Sequence, residues 1–360
     1  MDRRAFLRTS GMAAAVAALP WHRALAADGW RTFETVTRVE VLNPSGKSLA
    51  WIPLPLSESN DWFRDLSSSW SGNASEAGIE RDGKYGARML AAEWRAGQSS
   101  PVVEVTSRFM TRDRAVDLSR PATAGMQLAA AERAFNTAPT ELIPTDGIVR
   151  KTALEATRGA KSDVQKARAI YEWVVDNTYR DPKTRGCGWG DIKSMLESRN
   201  LGGKCGDLNA MFVGLARAVD VPARDVYGVR VAPSKYGYKS LGTGSPSISK
   251  AQHCRAEFFA EGYGWVPVDP ADVRKVILEE PPGKLAIDDP KVVAARKRLF
   301  GSWEMNWLAY NTGHDIALPG SSGPKLPYLM YVNAETGGER RDQLEPDTVK
   351  YSITAREVTA

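Results

Sequence analysis

Three cysteines in 360 residues are too few for a disulfide framework, and Cys187, Cys205 and Cys254 contain no C-x-x-C pair of the kind that builds zinc sites. A zinc reading that combines these three with His253 fails on spacing. Histidine is as sparse: His22, His253 and His314. No apolar run reaches the roughly 20 residues a membrane-spanning helix needs. There is no internal repeat, no low-complexity tract, no nucleotide-binding glycine loop, no H-E-x-x-H and no EF-hand loop, so no organic cofactor and no metal centre is expected. A large charge surplus is missing too. The formal net charge is +5, and the first 26 residues hold four arginines against one aspartate, which leaves +2 for the rest. That balance gives no support to nucleic-acid or anionic-membrane binding.

What is present begins with that leader. MDRRAFLRTS is basic, GMAAAVAALP is a short apolar run, and Ala24-Leu25-Ala26 is an A-x-A cleavage site, so residues 1–26 read as a secretory signal. The adjacent Arg3 and Arg4 before Phe6 and Leu7 match a twin-arginine signal, which places the mature chain in the periplasm or outside the cell. His22 would leave with it, and any histidine chemistry must use His253 or His314. An oxidising compartment favours cysteine pairing. One pairing, Cys187 with Cys254, would leave Cys205 as the free thiol.

The remainder is 42% hydrophobic and 25% charged over the whole chain, ordinary for globular protein and long enough for two cores. Residues 27–135 alternate in WRTFETVTRVEVL and SSPVVEVTSRFMTRD, with Ser, Gly and Asn between, which predicts an all-β sandwich. Residues 136–280 mix helices and strands. KSDVQKARAIYEWVVDNTY opens on a Ser162/Gln165 capping box, and DIKSMLESR reads as a short helix. A Gly/Ser/Lys-rich loop over 233–250 is either a mobile lid or a surface insertion. Residues 281–360 form a mixed extension, expected to pack on the core. The fold class is therefore α+β with an N-terminal β sandwich.

The chemistry-bearing stretch is GGKCGDLNAMFVGLARA, 202–218. Leu208, Met211, Phe212, Leu215 and Val219 make a helical stripe, so Cys205 opens a helix behind Gly202 and Gly203. A helix N-terminus favours a thiolate, and its free N–H groups can hold an oxyanion. The glycines would let a substrate backbone come close. Downstream, HCRAEFF and GWVPVDP form a hairpin. With the loop centred on Glu261, His253 faces Asp269, Arg255 faces Pro267 and Glu257 faces Trp265, which puts an imidazole beside a carboxylate. Cys205 as nucleophile, His253 as base and Asp269 as orienting carboxylate form a thiol-acylation constellation. On a strand, Cys254 would point away from His253. Asp207 is expected to cap the helix, with a site role as the alternative, and His314 is the rival base.

GGKCGDLNAMFVGLARAVDVPARDVYGVRV followed by QHCRAEFFAEGYGWVPVDPADV resembles the transglutaminase-like superfamily over roughly residues 145–275. The match lies in the helix-opening Cys205, the Val221-Pro222-Ala223-Arg224 turn, His253, and Trp265 to Pro270 around Asp269. One departure is His253-Cys254-Arg255 where many members have His-Ala-Trp. The resemblance implies a papain-like core, thioester chemistry on amides of peptide, protein or peptidoglycan type, and an aromatic or amide donor near the oxyanion, for which Trp189 and Tyr179 are candidates. The acceptor, water or an amine, stays open. The alternative is a non-catalytic binding or scaffold protein on the same core.

Overall fold

The computed structural model describes residues 29–342, 344 and 349–358; the expected leader lies outside them. The N-terminal part is a run of strands: β1 Arg31–Glu40, β2 Ser48–Pro53, β3 Phe63–Gly72, β4 Glu76–Arg81, β5 Arg88–Trp94, β6 Val102–Thr111 and the short β7 Arg114–Ala115. Their alternation is real. In β6, Val103, Val105 and Phe109 point inward while Arg108 between them is exposed.

The core follows. Seven helices occur among the described residues: α1 Ala130–Thr137, α2 Gly147–Ala156, α3 Asp163–Asn177, α4 Ile192–Ser198, α5 Cys205–Ala218, α6 Pro270–Glu279 and α7 Pro290–Arg298. Between α3 and α4 lies β8 Tyr179–Arg180, and β9 Gly202–Gly203 precedes α5. After α5 come β10 Ala223–Arg230, β11 Arg255–Ala260 and β12 Gly264–Val268. Past α7 run β13 Ser302–Trp303, β14 Trp307–Asn311, β15 His314–Ile316 and β16 Leu326–Tyr328. The capping box on α3 forms in part: Ser162 Oγ accepts from the Gln165 amide (3.2 Å), but Gln165 Oε1 accepts from Lys161 N (2.8 Å), one residue before the cap.

Helix α5 is buried along its whole length, although its sequence shows one apolar stripe. Its large residues face one way. On the other side Gly206, Ala210, Gly214 and Ala218 recur every four residues, a strip with little more than backbone. A Cβ on Gly214 would strike Ile192 and Ile143, and one on Gly206 would meet the Cys187 carbonyl. Small residues thus let a second layer close over the helix. Its large face meets an antiparallel sheet in the order β12-β11-β10-β14.

The chain's last strands divide their loyalties. β14 extends the core sheet, but β17 Asn333–Thr336, β18 Glu339–Arg340 and β19 Lys350–Glu357 complete the sandwich. Its two sheets run β19-β1-β6-β3 and β18-β17-β2-β5-β4. The expectation that residues 281–360 pack on the core is corrected accordingly. Strand pairing of this kind joins segments about 300 residues apart, and no local pattern announces it.

Candidate active site

Cys205 stands at the first turn of α5, 4% exposed. The glycines before it serve the protein interior rather than a ligand: a Cβ on Gly202 would collide with the Tyr179 ring, and one on Gly203 or Gly188 with Asp207. Asp207 is the hub of this turn. Its Oδ2 accepts from Lys204 N (3.0 Å) and its Oδ1 from Gly190 N (3.0 Å), tying the helix start to the 187–190 loop. Burial raises its carboxyl to about 6, against these bonds. Asp207 is thus the capping residue that its C-x-D position suggests.

His253 and Asp269 do meet, by a route the sequence misjudged. The observed pairs are Glu257 with Pro267, Phe258 with Val266 and Phe259 with Trp265, two residues out of the expected register. The turn is Glu261-Gly262-Tyr263, with Gly262 (φ 81°) and Gly264 (φ 75°) in the left-handed region. His253 precedes β11 and Asp269 follows β12, so the strand register does not itself place them; they meet just beyond the paired strands, at the same end of the hairpin. His253 Nε2 lies 2.8 Å from Asp269 Oδ2. Asp269 is also the N-cap of α6, its Oδ1 accepting from Asp272 N (3.0 Å), with Pro270 at the first helical position. One carboxylate therefore fixes the helix and the imidazole together. The D-P-A-D sequence carried this signal.

The neighbours that sequence reasoning missed are charged and buried. Asp272 Oδ1 is 3.4 Å from His253 Nε2, and Arg230 Nη2 reaches both Asp272 oxygens at 2.6 and 2.7 Å. Burial disfavours the Asp272 charge, but Arg230 and His253 hold this carboxyl well below its usual range. Burial, then Asp272, keeps Asp269 above its ordinary value. Burial and Arg230 work against a charged His253, yet Asp272 and Asp269 outweigh them and lift it to about 9. The imidazole is therefore an imidazolium at neutral pH. Arg255 stacks over Trp307, its carbon 4.8 Å from the ring centre, with Nε 3.7 Å from Asp269 Oδ2. Indole donors clamp both backbones: Trp307 Nε1 to His253 O (2.9 Å) and Trp303 Nε1 to Val268 O (3.0 Å). Asn209, one turn after Cys205, donates to Cys254 O at 2.8 Å.

His253, Asp269 and Asp272 offer ligand atoms within 4.8 Å of one another. Two guanidinium groups already neutralise the carboxylates, so the donor set suits an imidazolium better than a divalent cation.

All three cysteines are free and buried. The expected Cys187–Cys254 disulfide does not form; Cys187 Sγ instead donates to Gln252 O (3.4 Å), and both thiols lie close enough to Cys205 to bear on its ionisation. His253 and Cys254 precede β11 in irregular backbone, so strand alternation does not turn Cys254 away. Hydrogen bonds from Cys187 and Cys254, then from His253, outweigh burial and hold the Cys205 thiol well below its ordinary range. Its own bond to Cys205 and burial raise Cys187, and burial and Cys205 raise Cys254. The cluster is thus a thiol whose ionisation is favoured by two neighbouring thiols and an imidazole.

Cys205 and His253 lie in the wall of a cleft of about 550 Å³. The 233–250 loop forms part of that wall. It is pinned rather than lid-like: Tyr238, Leu241 and Ile248 are buried, Ile248 N bonds Ile353 O (2.8 Å) and Glu280 holds Ser240. Trp189 and Tyr179, 48% and 45% exposed, are not part of this cleft. The Tyr179 hydroxyl donates to Asn200 Oδ1 (2.8 Å), so neither candidate donor faces the thiol. Tyr331, which sequence reasoning passed over, does line the cleft and bonds Cys187. His314 pairs with Asp225 at 3.3 Å, also outside the cleft.

The comparisons with known proteins agree with this architecture. The family model described as the transglutaminase-like superfamily matches residues 150–270. A Haemophilus influenzae protein of uncharacterised function is 34% identical over 328 residues, 87% of each chain. The solved structure of a candidate cysteine protease from Cytophaga hutchinsonii is similar in fold, with a TM-score of 0.50 at 14% identity, over 91% of this chain and 98% of its own. The periplasmic domain of TgpA from Pseudomonas aeruginosa matches with a TM-score of 0.34 at 14% identity, over 71% and 91%. No helix among the described residues is long and apolar enough to cross a membrane.

Proposed function

The chain belongs to the transglutaminase-like superfamily, and from that premise we propose that it is an exported thiol enzyme that opens amide bonds through Cys205, His253 and Asp269. The observation that carries this is the placing of Cys205, at a helix start, in the wall of one cleft with a His253 whose Nε2 lies 2.8 Å from Asp269 Oδ2. The Cys205 thiolate attacks the amide carbonyl. The developing oxyanion is met by the helix start, where Gly206 N is engaged by Cys187 O (2.8 Å) and Leu208 N by Lys204 O (2.9 Å). That leaves the Cys205 amide as donor. The imidazolium returns its proton to the departing amine, a thioester remains, and water activated by the now neutral His253 releases the acid. Asp269 orients the ring, and Asp272, kept ionised by Arg230, sustains its charge until the proton is given up. Water is the default acceptor, since transfer to an amine requires its exclusion. Peptide-type amides of the cell envelope are the substrates that an exported location suggests.

Iodoacetamide labelling across pH, with the adduct located by mass spectrometry, tests this reading. Rapid alkylation of Cys205 in mildly acidic buffer, slowed by His253→Ala, is expected. Labelling that rises only near the pKa of a free thiol, about 8.5, would leave a binding module on an idle core.

A further inference from the structure

The cleft beside Cys205 has a charge pattern that thiol chemistry does not require. Arg180, Lys204, Arg230 and Lys275 line it beside Lys250, which is already engaged, and among the described residues no acidic side chain does. These cations are not equivalent. Arg230 is neutralised in place by Asp272 and gives another donor to Leu241 O (2.6 Å). Arg180 and Lys275 share a single carboxylate, Glu279, which is not in the lining. Lys204 directly precedes Cys205, is half-buried and has no carboxylate partner among the described residues. Thr243, Ser245 and Ser247 add neutral hydroxyl groups to the lining.

The thiolate and imidazolium cancel one another, so they do not balance this surplus. Burial, then Arg230, pushes the Lys275 amine below its ordinary value; a charge disfavoured in this way gains when an anion arrives. A concave wall of low dielectric concentrates the field of such groups, and lysines and arginines are the natural hosts of carboxylates.

We propose that the cleft selects substrates bearing a carboxylate close to the amide under attack, received by Lys204 and Lys275. The inference rests on Cys205 being the nucleophile. The carboxylate is either an acidic side chain or the C-terminus of a short peptide.

Two alkylating agents of nearly equal size, iodoacetate and iodoacetamide, separate this inference from the chemistry beneath it. At about pH 6 and low ionic strength, the iodoacetate-to-iodoacetamide rate ratio at Cys205 should exceed that of a small free thiol by ~10-fold or more. Part of that preference belongs to His253, so the decisive figure is the change on substitution. In Lys204→Gln/Lys275→Gln the ratio should fall ~5-fold, high salt should have a similar effect, and Lys204→Arg/Lys275→Arg should retain the ratio. A ratio is insensitive to partial loss of folded protein. Rapid iodoacetamide labelling with a ratio unmoved by the glutamine pair overturns the carboxylate inference and leaves the nucleophile standing. Slow labelling by both agents in the unsubstituted protein overturns both. Protection by three blocked tripeptides then identifies the source: one with a central glutamate and an amidated end, one neutral with a free C-terminus, and one neutral and amidated. Stronger protection by either of the first two names the carboxylate; equal protection by all three overturns the proposal.

Discussion

Among the described residues, two buried histidines each face an aspartate. His253 sits 2.8 Å from Asp269 and His314 3.3 Å from Asp225. Both histidines are 4% exposed. What separates them is the company each keeps. His253 has a second carboxylate, two guanidinium groups behind the carboxylates, a thiol in front and a cleft beside it. His314 has aromatic rings, with Tyr85 at 6.2 Å and Tyr227 at 5.6 Å between centroids, and the Tyr227 hydroxyl at 3.4 Å from Nδ1. A histidine–aspartate pair is thus a common structural joint. It becomes chemical when its proton has somewhere to go and its charge is sustained from behind.

Substitution at the two histidines is the strongest way to break this comparison. His253→Ala should lower amide turnover by at least ~10³-fold, as loss of a base acting as a unit with its nucleophile does, whereas His314→Gln should leave Cys205 labelling within about twofold. Comparable losses at both would erase the distinction.

The next effect concerns the charge behind the ring. Asp272→Asn strands Arg230 as a buried, uncompensated cation, which costs about 3–5 kcal/mol and should show as a lower urea midpoint. The alkaline limb of the labelling profile should also move below its starting position near 9, because the largest support for the imidazolium is gone. A stable variant with an unmoved limb would assign that support to Asp269 alone.

A smaller effect sharpens the same point without turnover. The folded pKa of His253, about 9, lies above the unfolded value of 6.5. Protonation therefore stabilises the fold fully below 6.5, and that stability drains away as pH rises through 9. Cys205→Ser removes the opposing titration of the thiol, so its unfolding free energy should decline by up to roughly 3 kcal/mol across that window. A flat profile would mean that His253 is neutral in the folded protein. The smallest change is expected at the clamp: Trp307→Phe removes one hydrogen bond to His253 O, worth about 1 kcal/mol, and should slow labelling a few-fold.

The residues of the proposed triad stand out in the sequence because each sits at a place local rules describe: Cys205 at a helix start, His253 and Asp269 flanking a short hairpin. The two-residue register error did no harm, since His253 and Asp269 lie just outside the paired strands, at the same end of the hairpin. Asp272 was missed because Asp269-Pro270 was read as a strand end rather than a helix cap. The gathering of Cys187 and Cys254 on Cys205 was illegible, for it depends on a loop packed over α5 and on irregular backbone before β11. Trp189 and Tyr179 were read as site donors on family pattern alone, and their exposure shows how little composition says about direction.

The pairing of β1 with β19 sets the order in which the protein can become whole. Arg31 bonds Glu357, 326 positions further along the chain, and the same last strand holds the cleft wall through Ile248 N and Ile353 O. During synthesis the first strand leaves the ribosome long before its neighbour exists, and the cleft lacks part of its wall until that neighbour arrives. A polypeptide interrupted before its final strand would thus carry Cys205, His253 and Asp269 without the wall that frames them, so completion of the chain acts as a checkpoint on the assembly of its reactive centre.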